Sequence, residues 1–194
     1  MNAIRSAGVL VILLAAMIQG CALKPQKLHL DPDVAYTGEP TTSDTLVGFS
    51  VTDDRPSKVL GEVGDPNKEM VPVSLDENFI PLLTEKLTAG LEKRGFQAVP
   101  DSDAMTRSLK ISIDSLVLNS KKTPVTFKTE LKAEVTAAAV NGNERYQRVY
   151  YVRSYQETAG PPYEKHSNQL VNQAVSQALN EILNDNKLFD MLAR

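Results

Sequence analysis

A regular alternation of apolar and polar side chains between positions 127 and 139 constrains the fold of this chain more than any other feature. This period of two is typical of a β-strand that has one buried face and one solvated face. The sequence therefore predicts a sheet whose apolar face packs against other elements. The predicted buried face carries Phe127, Leu131, Ala133, Val135, Ala137 and Ala139, and the solvated face carries Lys128, Glu130, Lys132, Glu134 and Thr136.

A β-hairpin is predicted after this strand, because Asn141-Gly142 is a strong two-residue turn signal and the segment RYQRVYYVRSY follows it as a partner strand. A turn at these two residues would place Ala137 opposite Tyr146. A turn at Gly142-Asn143 would instead place Ala139 opposite Tyr146. We predict the first of these two registers.

Shorter strands are predicted on the N-terminal side of this hairpin. Residues 45–52 are rich in β-formers and end at a turn-prone DDRP segment. The segments VLGEV and EMVPV flank GDPN and read as a second hairpin. Residues 109–118 alternate as a strand does, but the alternation changes phase near Asp114, which indicates a β-bulge there.

Two amphipathic helices complete the predicted fold. The first begins after Asn78, because this start leaves Pro81 in the first turn, and it ends before Gly95, which can take the left-handed conformation. The second covers about residues 167–184, where apolar side chains recur at helical spacing. The order of elements predicts an α+β fold, with a mixed, mainly antiparallel sheet and two helices packed on one face.

The chain begins with an apolar run from Ala7 to Ile18, which follows one positive charge at Arg5 and is too short to span a bilayer. Gly20 precedes Cys21, which is the only cysteine of the chain. This arrangement resembles the lipobox of bacterial lipoproteins, which implies cleavage before Cys21, a diacylglycerol on its thiol and a third acyl chain, such as palmitate, on its new amine. The sequence thus predicts a lipoprotein signal peptide over residues 1–20.

The residues after Cys21 give a predicted location and a predicted tether. Aspartate at the next position would typically retain such a lipoprotein in the inner membrane, and this chain has Ala22, so we expect the periplasmic face of the outer membrane. Residues 21–45 are rich in Pro, Thr, Ser and Asp and are predicted to form the lipidated cysteine and a flexible tether. Short apolar pieces of this segment, such as Leu28 and Leu30, could dock on the folded domain.

Charge and cysteine content exclude two classes of protein. After residue 20 the chain has 20 basic and 24 acidic residues, and the basic ones are scattered. Polyanion binding requires clustered Lys and Arg, so we predict no nucleic-acid partner. With Cys21 acylated, no cysteine remains for a disulfide, so residues 46–194 are predicted to form a single periplasmic domain stabilised by an apolar core.

Catalytic chemistry has little support in the sequence. The only histidines are His29 and His166, and neither lies in a motif; the tight acid pair Asp53-Asp54 reads as a strand-ending turn in which one carboxylate pairs with Arg55. We predict no catalytic residues, no metal site and no cofactor. A carboxylate pair that is distant in sequence leaves open the alternative of a hydrolase acting on an envelope polymer such as peptidoglycan.

Tyrosines are concentrated in one part of the chain, since five of the six lie between positions 146 and 163. The alternation places Tyr150 on the buried face of the hairpin and the residues Tyr151 and Tyr155 on the solvated face. Both cross-strand packing and recognition of a glycan or protein explain such a cluster. If it is a recognition surface, that surface consists of Tyr151, Tyr155, Lys128 and Arg153.

Several segments together resemble the YajG family of bacterial lipoproteins: the lipobox, GFSVTDDRPSKVLGEV, the helix ending EKRGF, LKISIDSLVL, the VNGN hairpin and NQAVSQALNEILNDNKL. The resemblance covers nearly the whole chain after Cys21. It implies a secreted, membrane-anchored α+β module and supplies no catalytic residues. We therefore expect a membrane-anchored cell-envelope lipoprotein that acts as a non-enzymatic binding or accessory module. Its partner would be an envelope protein or peptidoglycan, besides the membrane itself.

Overall fold

The computed structural model describes residues 23–42 and 44–194, so the predicted signal peptide and Cys21 lie outside the described residues. The described chain has an α+β fold. Its strands are β1 Gln26–Leu28, β2 Thr45–Asp53, β3 Val59–Asp65, β4 Glu69–Leu75, β5 Phe96–Pro100, β6 Arg107–Lys122, β7 Phe127–Asn141 and β8 Glu144–Thr158. Its helices are α1 Phe79–Lys93, α2 Glu164–Leu183 and α3 Asn186–Ala193.

The eight strands form one mixed sheet. Its order is β1-β4-β3-β6-β2-β5, and β7 pairs with β6 while β8 pairs with β7. Four pairings are parallel (β1 with β4, β2 with β5, β2 with β6, β3 with β6), so the prediction of a mainly antiparallel sheet is wrong. The physical reason is that hairpins join only β3 to β4, β6 to β7 and β7 to β8. Every other pairing joins strands that are separated by longer connections.

The predicted bulge in the long central strand is confirmed. The register between β6 and β7 shifts between Ile113 and Ser115, so Asp114 is the extra residue. The Asp114 carboxylate accepts hydrogen bonds from the Thr136 hydroxyl, at 2.5 Å, and from the Ser112 hydroxyl. These bonds explain why the apolar pattern of this strand changes phase at an acidic residue.

The register of the β7–β8 hairpin differs from the prediction by two residues. Ala139 lies opposite Tyr146, and Gly142-Asn143 forms the turn, with Gly142 at a φ of 58°. A glycine at the first central position is typical of a type II′ turn. Asn141 stays in the strand because it pairs with Arg107 of β6, and its side-chain amide donates to the Met191 carbonyl at 3.0 Å.

The helices begin and end for identifiable reasons. Helix α1 begins after Asn78 as predicted, although the Asn78 side chain makes no capping hydrogen bond, and it ends before Gly95, whose φ is 92°. A Cβ at Gly95 would collide with the Thr42 carbonyl oxygen, so this position requires glycine on two grounds. Helix α2 begins at Glu164, three residues before the predicted start.

A third helix, α3, is present in addition to the two that the sequence predicts. It is capped by Asp185, whose side chain accepts from the backbone N–H groups of Lys187 and Leu188. Helix α1 contacts β2 and β5, α2 contacts β1, β7 and β8, and α3 contacts β7 and β8. Their buried residues form one hydrophobic cluster with those of the sheet.

An N-terminal strap, residues 26–36, lies along the domain within the segment for which the sequence predicts a tether. Leu28 and Leu30 are buried, as the apolar pieces of this segment allow. Past β1, the backbone N–H groups of Asp31, Asp33 and Ala35 donate at 2.6, 2.8 and 3.0 Å to side chains of α2. The acceptors are Asn172, Ser176 and Asn180. Two residues of extended chain and four residues of helix both rise about 6 Å, so the spacings match.

Arg94, at the end of α1, is the largest fully buried side chain, with an exposure of 1%. Its guanidinium donates to the Thr41 hydroxyl at 3.0 Å, to the Asn186 side chain at 3.2 Å and to the Leu183 carbonyl. It also lies over the rings of Tyr36 and Phe189, with centroid distances of 4.6 and 4.1 Å. Burial lowers the pKa of this guanidinium from its usual value. One side chain therefore connects the N-terminal segment with all three helices.

Replacing Arg94 with methionine is expected to lower the free energy of unfolding by about 3 kcal/mol, because charged hydrogen bonds and two cation–π contacts are lost together. Chemical denaturation measures this change. Arg145→Met is the matched control, since Arg145 is exposed on β8 and its replacement should stay within about 0.5 kcal/mol. Equal effects of the two replacements would contradict a structural role for Arg94.

Candidate functional site

The outward face of β8 carries the exposed tyrosines that the sequence singled out. Tyr151 and Tyr155 are 68% and 67% exposed, and Arg153 is exposed between them. The β7 residues opposite them are Glu134, Lys132 and Glu130, in that order. The structure thus brings Tyr151, Arg153 and Tyr155 together in one row on a solvated face, as the alternation predicts.

Lys128 lies beyond this row, at the end of the hairpin that is farthest from its turn. It pairs with Glu157 of β8, and its ammonium lies 2.9 Å from the Glu157 carboxylate. Lys132 is 3.6 Å from Glu130 on the same strand. Both lysines share the solvated face with the tyrosines, but their charge is partly neutralised by these carboxylates. Glu157 belongs to the surface and was not identified from the sequence.

The position of β8 in the sheet makes this row accessible from the side as well as from the front. Within the described sheet, β8 pairs only with β7, so it is an edge strand of 15 residues. Such a strand can add a further strand from a partner through its free backbone groups. The candidate surface therefore combines exposed aromatic rings, an arginine and an open strand edge.

The inward face of the same strand has a different function, because it surrounds a buried carboxylate. Asp185 accepts hydrogen bonds from the hydroxyls of Tyr150 at 2.7 Å and Tyr146 at 2.9 Å, and from the Arg148 guanidinium at 3.1 Å. We call these four residues the Asp185 cluster. Tyr150 is buried, which confirms the prediction that it lies on the dry face.

The pKa shifts in the Asp185 cluster agree with its hydrogen bonds. Burial alone would raise the pKa of Asp185, but the hydrogen bonds from Tyr150, Tyr146 and the backbone N–H of Leu188 hold it below its usual value. Burial and the nearby carboxylate raise the pKa of both tyrosines, so each phenol stays protonated and donates. This cluster was not predicted from the sequence. Its signal was an aspartate immediately before a short apolar helix, together with two tyrosines four residues apart on one face of a strand.

The acid pair Asp53-Asp54 forms a structural turn, as its position at a strand end predicts. Asp53 accepts from the Arg55 side chain at 2.6 Å and from Lys58 at 2.7 Å. Although burial raises the pKa of Asp53, these cations hold it at about 2. Arg55 is buried and stacks over the Phe79 ring, with the guanidinium 5.3 Å from the ring centroid. The Asp53–Arg55 ion pair therefore contacts the first residue of α1 and stabilises the start of this helix.

The histidines and other metal-binding residue types have separate environments. The His29 ring nitrogen lies 2.8 Å from the Asp76 carboxylate, and the His166 ring lies beside the Tyr163 ring. Across residues 23–42 and 44–194, no group of three or more His, Cys, Asp or Glu side chains could hold a metal ion. None of the described helices is both long enough and apolar enough to cross a membrane.

Comparison with known proteins gives one family and several similar folds. A family model described as "Uncharacterized lipoprotein" matches residues 32–193. Among curated proteins, no sequence matches this chain. The crystal structure of protein XCC0632 from Xanthomonas campestris is 16% identical, with a TM-score of 0.47, and the match covers 87% of this chain and 94% of that one.

A second solved structure, lipoprotein GNA1162 from Neisseria meningitidis, is 10% identical with a TM-score of 0.35. That match covers 73% of this chain and 99% of the other.

Replacing Asp185 with asparagine is expected to lower the free energy of unfolding by about 2 kcal/mol at neutral pH, because three donors lose their charged acceptor. The folded-state pKa of Asp185 is lowered, so its contribution is present above the unfolded-state pKa and is lost as pH falls through the folded-state value. Urea unfolding between about pH 5 and pH 2 should therefore show a smaller acid loss for Asp185→Asn than for the wild type. Asp190→Asn, an exposed position on α3, should retain the wild-type acid loss.

Proposed function

Since the chain belongs to the lipoprotein family whose model it matches, we propose that this membrane-anchored envelope protein acts as a non-enzymatic binding or accessory module. Its anchor is the acylated Cys21, at the periplasmic face of the outer membrane. Its recognition surface is the outward face of the β7–β8 hairpin, which carries Tyr151, Arg153 and Tyr155. The exposure of these two tyrosines is the observation that carries the proposal.

Exposed aromatic side chains support a recognition role on energetic grounds. A tyrosine gives a large apolar area together with a hydroxyl, and tyrosine and arginine are enriched among residues that dominate binding energy. The other two tyrosines of β8, Tyr146 and Tyr150, are bound to Asp185 and support the fold. Tyr151 and Tyr155 have no comparable packing role, so their exposure is consistent with selection for contact with a partner.

The chemistry of the surface favours a partner with acceptor groups. Arg153 lies between the two rings, and Lys132 lies directly opposite it. Peptidoglycan presents carboxylates beside sugar rings, and a sugar ring can stack on a tyrosine. A periplasmic protein with an acidic strand would fit the same rings and also pair with the free edge of β8.

The direction of the carboxyl pKa shifts supports a non-enzymatic role. A glycoside hydrolase needs a general acid whose pKa is raised. Of the carboxyls in the described chain whose pKa departs from the usual value, all four have it lowered. They are Asp31, Asp53, Asp65 and Asp185. None of these four carboxyls has the raised pKa that such a general acid needs.

The anchor is tested by replacing Cys21 with serine. Cys21 is the only acylation site, so the variant should accumulate as an uncleaved or soluble product and leave the outer-membrane fraction. Membrane fractionation and intact mass measure both effects. A wild-type chain that is cleaved elsewhere and carries no acyl mass would contradict the anchor.

The recognition surface is tested with Tyr151→Ala and Tyr155→Ala. Both should abolish crosslinks to the partner in living cells, and both should change the free energy of unfolding by less than about 0.5 kcal/mol, because the rings are exposed. Crosslinking followed by mass spectrometry identifies the partner, and thermal unfolding measures stability.

Two further variants make this test specific. Tyr150→Ala should destabilise the domain by about 3 to 5 kcal/mol, because it removes a buried ring. Leu46→Ala, an exposed apolar position on β2, should keep both stability and crosslinks. If the domain folds with Tyr151→Ala and Tyr155→Ala and every crosslink persists, the tyrosines do not form the recognition surface.

A further inference from the structure

Four segments meet at one end of the domain, which we call the loop end: residues 23–25, the β3–β4 turn, the β6–β7 loop and the segment leading into α2. Leu23 lies in a groove with Lys68, Glu69 and Tyr163. The Gln26 side chain donates to the Pro162 carbonyl at 2.8 Å. The Lys122 ammonium lies 2.5 Å from the Asp65 carboxylate, which joins the β6–β7 loop to the β3–β4 turn.

The loop end lies close to the predicted anchor along the chain. Cys21 is two residues before Leu23, and two residues of chain span at most about 7 Å. Leu23 is half-buried against the core of the domain. An acylated Cys21 would therefore keep Leu23 near the bilayer surface, and the contacts of the rest of the loop end decide how the domain is oriented on that surface.

Charge is distributed unevenly between the loop end and the rest of the chain. The grooves of the loop end are lined by five lysines and three carboxylates, the lysines being Lys24, Lys68, Lys121, Lys122 and Lys165. Taking these from the 20 basic and 24 acidic residues after position 20 leaves 15 basic and 21 acidic residues elsewhere. An excess of lysine beside a lipid anchor is the pattern that anionic phospholipid attracts.

Two exposed side chains of the loop end suit the interface between water and lipid. Val125, after Pro124 at the tip of the β6–β7 loop, is 83% exposed, more than any other large apolar residue described. Tyr163, beside Leu23, is 59% exposed. An aliphatic side chain and a tyrosine at the level of the headgroups are typical of proteins that rest on a bilayer.

We propose that the loop end docks on an anionic phospholipid surface, with Val125 and Tyr163 at the headgroups and the four lysines other than Lys122, which is paired with Asp65, on lipid phosphates. This inference rests on the anchor at Cys21 proposed above. It fixes the orientation of the domain, because β7 runs about 50 Å from the loop end to the hairpin turn. Thr158, the last residue of β8, is at the loop end. In this orientation Tyr155 lies about 10 Å along the strand from Thr158, and Tyr151 lies farther from the membrane.

The orientation is tested with the acylated protein in vesicles of phosphatidylethanolamine and phosphatidylglycerol. Val125→Cys is labelled with bimane, and because acylation blocks the only natural thiol, the new cysteine is the single labelling site. Quencher-bearing lipids should quench bimane at position 125. Bimane on Asn143→Cys, in the turn at the opposite end of β7, is the control and should stay unquenched. Equal quenching at the two positions would overturn the proposal.

Charge reversal tests the role of the lysines. Lys68→Glu with Lys121→Glu should reduce quenching at position 125 to about the level at position 143, and so should vesicles of phosphatidylethanolamine alone. Lys93→Glu with Lys187→Glu is the matched control, since these exposed lysines lie at the end of α1 and the start of α3, at the other end of the domain, and it should leave quenching unchanged. If quenching at position 125 is unchanged both by charge reversal and by the use of vesicles without anionic lipid, docking on anionic lipid is overturned.

Intact mass and vesicle flotation separate this inference from the anchor. A chain without acyl mass that fails to float would overturn the anchor and, with it, the docking. An acylated chain that floats but shows no quenching at position 125 would overturn the docking alone. Crosslinks in the tyrosine variants test the recognition surface alone, and their loss supports or contradicts neither the anchor nor the docking.

Discussion

The buried guanidinium of Arg94 is the interaction on which the assembly of the three helices depends. It is a charge removed from water, and it is satisfied by hydroxyl, amide and carbonyl oxygens and by two aromatic faces. Those partners come from the N-terminal segment, the end of α2 and the first turn of α3. If any one of these segments moved away, the buried guanidinium of Arg94 would lose one of its hydrogen-bond acceptors or aromatic contacts. The shared contacts therefore favour cooperative folding.

The Asp185 cluster complements Arg94 at the same end of the domain. Asp185 caps α3 and binds two phenols and a guanidinium of β8, so the helices and the outermost strand are held by one carboxylate. The burial of Arg94 and Asp185 concentrates specific polar interactions at the end opposite the first described residues. Loops and exposed lysines occupy the other end.

The alternation of apolar and polar residues was enough to assign each side chain to a face of the sheet, but it did not identify which strands pair with each other. The predicted hairpin register was wrong by two residues, yet Tyr150 is buried and Tyr151 exposed as predicted, because a shift of two keeps every side chain on its face. The parallel pairings of β1 and β5 could not be predicted, since these strands have three and five residues and are too short to show a pattern. Asp185 and Arg94 were missed because their partners are distant in sequence and their roles follow from tertiary contacts.

Alternation along β8 also separates the residues that support the fold from those of the proposed recognition surface. Tyr146, Arg148 and Tyr150 point to Asp185, while Tyr151, Arg153 and Tyr155 lie beyond them along the strand and point to solvent. Because each residue of a strand faces one side only, a substitution on the outward row leaves the Asp185 contacts intact. The outward row can therefore change to suit a partner without loss of the fold, whereas a change on the inward row must be matched by α2 and α3. A strand of this kind can carry a binding surface on a domain whose core provides all of its stability.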